Sequence, residues 1–145
     1  MRILAVDHGE RRLGIAVSDG TGTLARPLTI IQHQSREADA RRVQELARAQ
    51  KVDLIVVGES RDEEGQPNQA GRRAQLFAGA LRASGEFRVE MWDESLSSQD
   101  ARGLLLAGGA SRKRRARAID AAAAAVILQS YLDVHNPGTS PGFVK

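Results

Sequence analysis

The sequence predicts one α/β domain built on a mixed five-stranded sheet with helices on both faces. Three observations carry that prediction. The first third holds three apolar runs separated by short polar turns, the pattern of an antiparallel meander. The remainder alternates helical periodicity with two further strand-like runs, the pattern of crossover connections in a parallel sheet. No internal repeat or linker interrupts the 145 residues, the length of one ordinary domain.

Taken in order, Arg2 to Val6 reads as a buried strand whose apolar run is cut off by Asp7, before a turn at Gly9. Leu13 to Val17 is a second strand, ended by Ser18-Asp19-Gly20, and Leu24 to Gln32 a third, with Pro27 near its start. Arg36 to Gln50 places Ala38, Val43, Leu46 and Ala47 at helical spacing behind Ser35 as N-cap. Asp53 to Gly58 is an apolar strand of the doubly covered, parallel kind. Glu59 to Gly71 is polar, with Gly and Pro, and reads as a surface loop. A helix follows from Gly71 to Ser84, with Leu76, Phe77, Ala80 and Leu81 facing inward. Phe87 to Trp92 is the last strand. Ser97, with Asp100, opens a helix that Gly108-Gly109 stops. Basic residues 112 to 117 lead into a final helix from Ala118 to Leu132. The domain is expected to span residues 1–138, with 139–145 a flexible tail.

Composition narrows the chemistry. There is no cysteine, so disulfides and thiolate metal sites are excluded, and any metal must take oxygen or histidine donors. No run approaches the ~18 apolar residues that span a bilayer, and the first ten residues are too short for a signal peptide. A cytoplasmic protein with no membrane partner is the expectation. The net charge of +3 is a mild excess, so its distribution matters more than its size. Aromatic residues are only 3% of the chain, which argues against a base-stacking platform, and Trp92 and Tyr131 read as core.

Three acidic positions stand out by placement. Asp7 ends the first strand, Asp93-Glu94 ends the last, and Asp120 opens an apolar helix. Ligands of open α/β sheets bind at the carboxyl ends of strands. Each position has an ordinary alternative: a turn-forming Asp, or a carboxylate favoured by a nearby helix N-terminus. Asp120 shares a helix face with Ala124, Ile127, Leu128 and Tyr131, so it caps an apolar stripe. Three carboxylates brought together would repel one another unless a divalent cation lay between them. Oxygen donors select Mg²⁺ or Mn²⁺, and a pair of such ions about 4 Å apart suits phosphodiester hydrolysis. The roles of His8 and Asp93 stay open.

The cations complete the pattern. Arg112, Lys113, Arg114, Arg115 and Arg117 crowd the approach to Asp120, Arg11 and Arg12 follow Asp7, and Arg72 and Arg73 follow the polar loop. A solvated charge run is the commoner meaning of such a segment. Here the run stands at a helix N-terminus, where the dipole disfavours cations, so contact with nucleic-acid phosphates is expected of all nine.

These residues are recognisable as a set. The segment AVDHGERRLGIAVSD (5–19) is similar to the signature G-x-D-x-G-x-K/R-R-I-G-x-A-x-S-D of the YqgF family, also called RuvX. ARPL (25–28), VVG (56–58), WDESLSS (92–98) and RARAIDAAAAAVILQSYLD (115–133) resemble its further motifs, so the resemblance covers about residues 2–133. It implies a ribonuclease H-like fold and an acidic metal triad on Asp7, Glu94 and Asp120. It also implies a bacterial cytoplasmic nuclease using Mg²⁺ or Mn²⁺. The substrate so implied is RNA, at the 5′ end of precursor 16S ribosomal RNA, or branched DNA at a Holliday junction. The working unit would be a monomer in the first case and a homodimer in the second. A non-catalytic nucleic-acid-binding factor is the alternative; an actin-like phosphotransferase is opposed by the chain's length and its missing nucleotide motifs. Departures are Ala5 for the first glycine, Glu59-Ser60 for Leu-Pro, Glu64-Gly65-Gln66 for Asp-Gly-Thr, and Ser95 for an arginine. None removes a triad carboxylate.

Overall fold

The computed structural model describes residues 1–94 and the helix of residues 112–135, with side chains in that helix from residue 122 onward. Among them are five strands: β1 (Ile3–His8), β2 (Arg12–Ser18), β3 (Ala25–Gln32), β4 (Leu54–Glu59) and β5 (Arg88–Asp93). Three helices accompany them: α1 (Arg36–Ala49), α2 (Gln69–Ala83) and α3 (Arg112–His135). The sheet order is β3-β2-β1-β4-β5. The first three strands pair antiparallel, while β4 runs parallel to both β1 and β5. The expected meander followed by crossovers is therefore the architecture found.

β4 lies inside the sheet, and all six of its residues are buried. Its period of two divides the core. Ile55 and Val57 join Leu4, Val6, Ile15, Phe77 and Leu81 beneath α1 and α2. Leu54 and Val56 join Ile3, Ala5, Ala124 and Leu128 beneath α3. A strand covered on both faces can be apolar throughout, which is why DLIVVG reads as a continuous run. Pro27 of the edge strand β3 pairs with Ala16 beside a register shift, the kind of position at which a strand accepts proline. Ser35 Oγ accepts from the Ala38 N–H at the start of α1, and Asn68 Oδ1 accepts from Gly71 N–H at the start of α2.

Several elements differ from expectation. β1 continues through Asp7 and His8, paired with Gly14 and Leu13, so Asp7 stands within the strand rather than ending it. Glu59 is the last residue of β4 and only 3% exposed, not part of a surface loop. Its carboxylate accepts from Arg61 Nε at 2.8 Å and from Gln75 Nε2 at 2.5 Å, which satisfies the buried charge. The segment after it is a small tied hairpin. Asp62 Oδ1 accepts from the backbone N–H groups of Glu64 and Gln66, and Arg61 bridges to Pro67. On α2 the inward stripe is Ala74, Phe77, Ala78 and Leu81, so Leu76, about 100° round from Phe77, is 53% exposed and Ala80 is only half-buried. α3 begins at Arg112 rather than Ala118, because Arg, Lys and Ala are strong helix formers and neither Gly nor Pro interrupts residues 112–135. The helix expected from Ser97 to Gly108-Gly109 and the tail 139–145 lie outside the described residues. Among the described residues, no helix is long and apolar enough to cross a membrane.

Two measurements check this packing. Gly71 lies where a methyl group would fall 2.2 Å from the Ser60 carbonyl oxygen. Gly71→Ala, a change that elsewhere favours a helix by up to about 1 kcal/mol, is expected to lower stability in urea denaturation by about 1–3 kcal/mol. Tyr131, the chain's single tyrosine, is buried under β5 and donates from its hydroxyl to Glu90 Oε1 at 3.0 Å. Burial first, and then this carboxylate, push its pKa up to about 12. Absorbance titration should therefore show a phenol still protonated at pH 10 and only about one-tenth ionised at pH 11. Because the folded state holds the proton more tightly, stability should fall as pH rises from 10 towards 12.

Candidate active site

The parity of the strands sorts the candidate residues. Asp7 has the parity of Ile3 and Ala5, which places it on the sheet face covered by α3. Across β2 its partner is Gly14. Extending the register that pairs Val6 with Val57 puts Gly58 on the β4 side. Asp7 therefore rises between two glycines, the residues directly opposite it in the adjoining strands.

Glu94 comes to the same face from the other direction. Trp92, two residues earlier, packs into the α3-side cluster, and the Glu94 N–H extends the ladder to the Glu59 carbonyl at 3.1 Å. A methyl group on Gly58 would fall 2.6 Å from Glu94 Oε2 and 2.9 Å from Ile127 Cδ1. The Glu94 carboxylate thus leans over β4, the strand that separates β5 from β1. Asp7 and Glu94 are both half-buried. They share one face and one end of the sheet, the end where the parallel strands finish.

Asp120 belongs to α3. Its helical partners at 124, 127, 128 and 131 are all buried against the sheet, and Ile127 meets Gly58. Position 120 continues that stripe towards the end of the sheet that holds Asp7 and Glu94; its side chain lies outside the described residues, as do those of Arg112, Lys113, Arg114, Arg115 and Arg117. Among the described residues no group of three acidic or histidine side chains is close enough to hold a metal ion.

The remaining candidates divide between the two faces. Asp93 pairs with Glu59 and has the opposite parity to Glu94. His8 lies opposite Leu13, on the α1/α2 face, with its ring 4.8 Å from that of Phe77. Burial holds its pKa below the ordinary imidazole value, against the pull of the Asp39 charge. His8 therefore points away from Asp7. Arg11 and Arg72 are exposed and Arg12 is half-buried. Arg73 is drawn to Glu10 at 3.9 Å, and its Nε is enclosed with no hydrogen-bond partner among the described residues.

Sequence reading missed the two glycines that shape this site. Gly14 and Gly58 each interrupt an apolar strand, and a glycine inside a strand marks close approach of another group; that was the available signal. A cavity of about 420 Å³ between β3 and α1, lined by Ile30, Ile31, Arg42 and Leu46, opens on the α1 side of the sheet, while these carboxylates face α3.

A mixed sheet in this order, with carboxylates at the carboxyl ends of β1 and β5 and helices on both faces, defines a protein of the ribonuclease H-like class. RuvC of T. thermophilus in complex with a Holliday junction substrate superposes with a TM-score of 0.60, covering 97% of this chain and 98% of that one, at 17% identity. The fowlpox virus resolvase bound to Holliday junction DNA gives a TM-score of 0.58, covering 94% and 99%, at 12% identity. At these identities the likeness is one of fold. The model of the RuvX family, described as Holliday junction resolvase, matches residues 1–134, and the chain belongs to that family. A protein of Symbiobacterium thermophilum named "Putative pre-16S rRNA nuclease" is 40% identical over 144 residues, 99% of this chain and 100% of its own. One of the same name from Pelotomaculum thermopropionicum is 40% identical over 134 residues, 92% of this chain and 87% of its own.

The glycine shelf is open to test. Gly58→Ala should lower stability by about 1–3 kcal/mol in urea denaturation, since the added methyl meets both Glu94 and Ile127. An unchanged midpoint would show that Glu94 does not lean over β4.

Proposed function

We propose that this chain is a metal-dependent nuclease that hydrolyses phosphodiester bonds in structured nucleic acid, with the 5′ region of precursor 16S ribosomal RNA as its substrate. The observation that carries the reading is the shared shelf: Asp7 on β1 and the Glu94 carboxylate leaning over Gly58 from β5, at one end of one sheet face. Membership of the RuvX family and the name carried by its relatives support nuclease chemistry and the choice of RNA.

The donor set fits a hard divalent cation. Asp7, Glu94 and Asp120 are the residues that would hold Mg²⁺ or Mn²⁺, since the chain has no thiol and His8 faces the other side of the sheet. When bound, such ions activate water and stabilise the leaving oxygen. The chain's own residues position the substrate. Arg11 and Arg12 beside the β1–β2 turn and Arg72 and Arg73 at the start of α2 stand at the same end of the sheet as Asp7, and the cations at 112–115 and 117 belong to the first turns of α3. They are suited to hold backbone phosphates while the carboxylates act. β1 and β5 are anchored in a packed sheet, and this rigidity keeps two of the carboxylates in register. The reaction belongs in the cytoplasm, where ribosomal RNA is trimmed, and a monomer suffices for it.

A second reading is resolution of branched DNA, favoured by the family's description as Holliday junction resolvase. It requires a homodimer that cuts two strands symmetrically.

The test is cleavage of a precursor 16S RNA fragment and of a synthetic four-way DNA junction, each with Mg²⁺ or Mn²⁺. The RNA is expected to be cut, and Asp7→Asn is expected to lower the rate at least about a hundredfold, beyond what losing a mere supporting contact to a metal ligand costs. Cutting of the junction alone would select the resolvase. Binding without cutting would leave a nucleic-acid-binding factor.

A further inference from the structure

Beyond the residues already assigned, the end of the sheet that carries Asp7 holds a second built group, on the side of β3. His33 follows β3 directly, and its backbone N–H donates to the Arg11 carbonyl at 2.9 Å, which fastens it to the arginine turn. Its Nδ1–H donates to Asp39 Oδ2 at 2.5 Å. Asp39 lies in the first turn of α1 with its side chain fully buried, and its other oxygen accepts from the Gln34 N–H at 3.0 Å. Both carboxylate oxygens are therefore engaged and turned inward. The imidazole is held at a fixed angle, 38% exposed, and Nε2 is the ring nitrogen left to meet an outside partner. One nitrogen held by a buried carboxylate so that the other is aimed is the arrangement that locks a binding group in place.

Position supplies the partner. Asp7 is level with Gly14 and Ile30 in the sheet, so His33 stands two strand spacings across, about 10 Å, and three residues along, about 10 Å more, with its ring on the α1/α2 face, 6.5 Å from that of His8. Arg11 is exposed beside His33, and Arg36 is exposed three residues further on. On the other side of the shelf, the hairpin that follows β4 displays Asp62, Glu63 and Glu64, all exposed, ahead of Arg72 and Arg73 at the start of α2. The arginines of the β1–β2 turn thus join the Asp7 shelf to the end of β3 around the end of the sheet.

We propose that His33, aimed by Asp39, contacts a backbone phosphate of the substrate on the strand that flanks the bond that is cut, where that strand rounds the end of the sheet. The β1–β2 turn and His33 together carry the flanking strand. This inference rests on the nuclease reading above and adds to it a direction for the substrate and a residue that sets it.

The test is equilibrium binding of a labelled precursor 16S RNA fragment and a labelled four-way DNA junction. Asp7→Asn protein serves as the uncut parent, and affinity is followed over a salt series. Adding His33→Ala is expected to weaken binding about three- to tenfold, the span that one hydrogen bond is worth. His33→Lys, which restores a donor without needing Asp39, is expected to regain the affinity. It should also steepen the dependence of log K on log salt by about 0.9 relative to the alanine variant, the slope of one phosphate contact. Thermal melts of each variant are run alongside. Unchanged affinity in His33→Ala overturns the proposal and leaves the nuclease reading standing. So does weakened binding that lysine fails to restore together with a lowered melting temperature, because His33 would then be a latch between β3 and α1. A parent that binds neither probe removes the nuclease reading and this proposal with it.

Discussion

Everything in this molecule hangs on the burial of β4. All six of its residues are enclosed, so the strand must be paired on both edges and covered on both faces. Pairing on both edges sets β1 and β5 beside it in parallel. Parallel neighbours cannot be joined by tight turns, so helices must cross over the sheet. Covering both faces then places α1 and α2 on one side and α3 on the other. With its flanks and faces closed in this way, the strand's carboxyl end is where chemistry can reach the sheet.

That end is shaped by what β4 lacks. Gly58 leaves a gap one methyl group deep, and the Glu94 carboxylate and the Ile127 side chain of α3 occupy it. Asp7 stands on the adjacent strand with Gly14 at its other side. The cost of gathering carboxylates in a half-buried place is electrostatic, and it falls when a divalent cation joins them. One residue further along β4, Glu59 faces the other way, paired with the Arg61 cation and hydrogen-bonded by Gln75. Two carboxylates that both end up under cover, Glu59 and Glu94, thus have opposite destinies. Strand parity sends one to an internal ion pair and the other to the open shelf.

His8 shows the same rule at work. It is the immediate neighbour of Asp7, yet its ring packs on Phe77 on the opposite face, where burial favours the neutral form. Adjacency along a strand separates side chains rather than joining them. His33 and Asp39, six residues apart, meet because a turn and the start of a helix fold one back on the other.

Much of the fold was legible from the chain. The short-turn meander, the continuous run 53–58, and the caps Ser35 and Asn68 express local preferences that survive in the folded state, although Asn68 was not singled out. The acidic residues Asp7 and Asp93-Glu94 where apolar runs give out were legible too, but which of the last two faces α3 was not. Leu76 was misplaced because helical periodicity leaves the width of the buried stripe undetermined, and Glu59 because its polar neighbours disguised a strand residue whose partners, Arg61 and Gln75, are supplied only by the hairpin and α2. By itself, then, the sequence determined the order of elements, the apolar alternation of the strands and the residue types available for metal and phosphate. Which carboxylate faces which side, the gap at Gly58 that Glu94 fills, and the pairing of His33 with Asp39 were decided only in the tertiary structure. Each depends on strand register and on contacts between residues distant along the chain, and these exist only once the sheet has closed around β4.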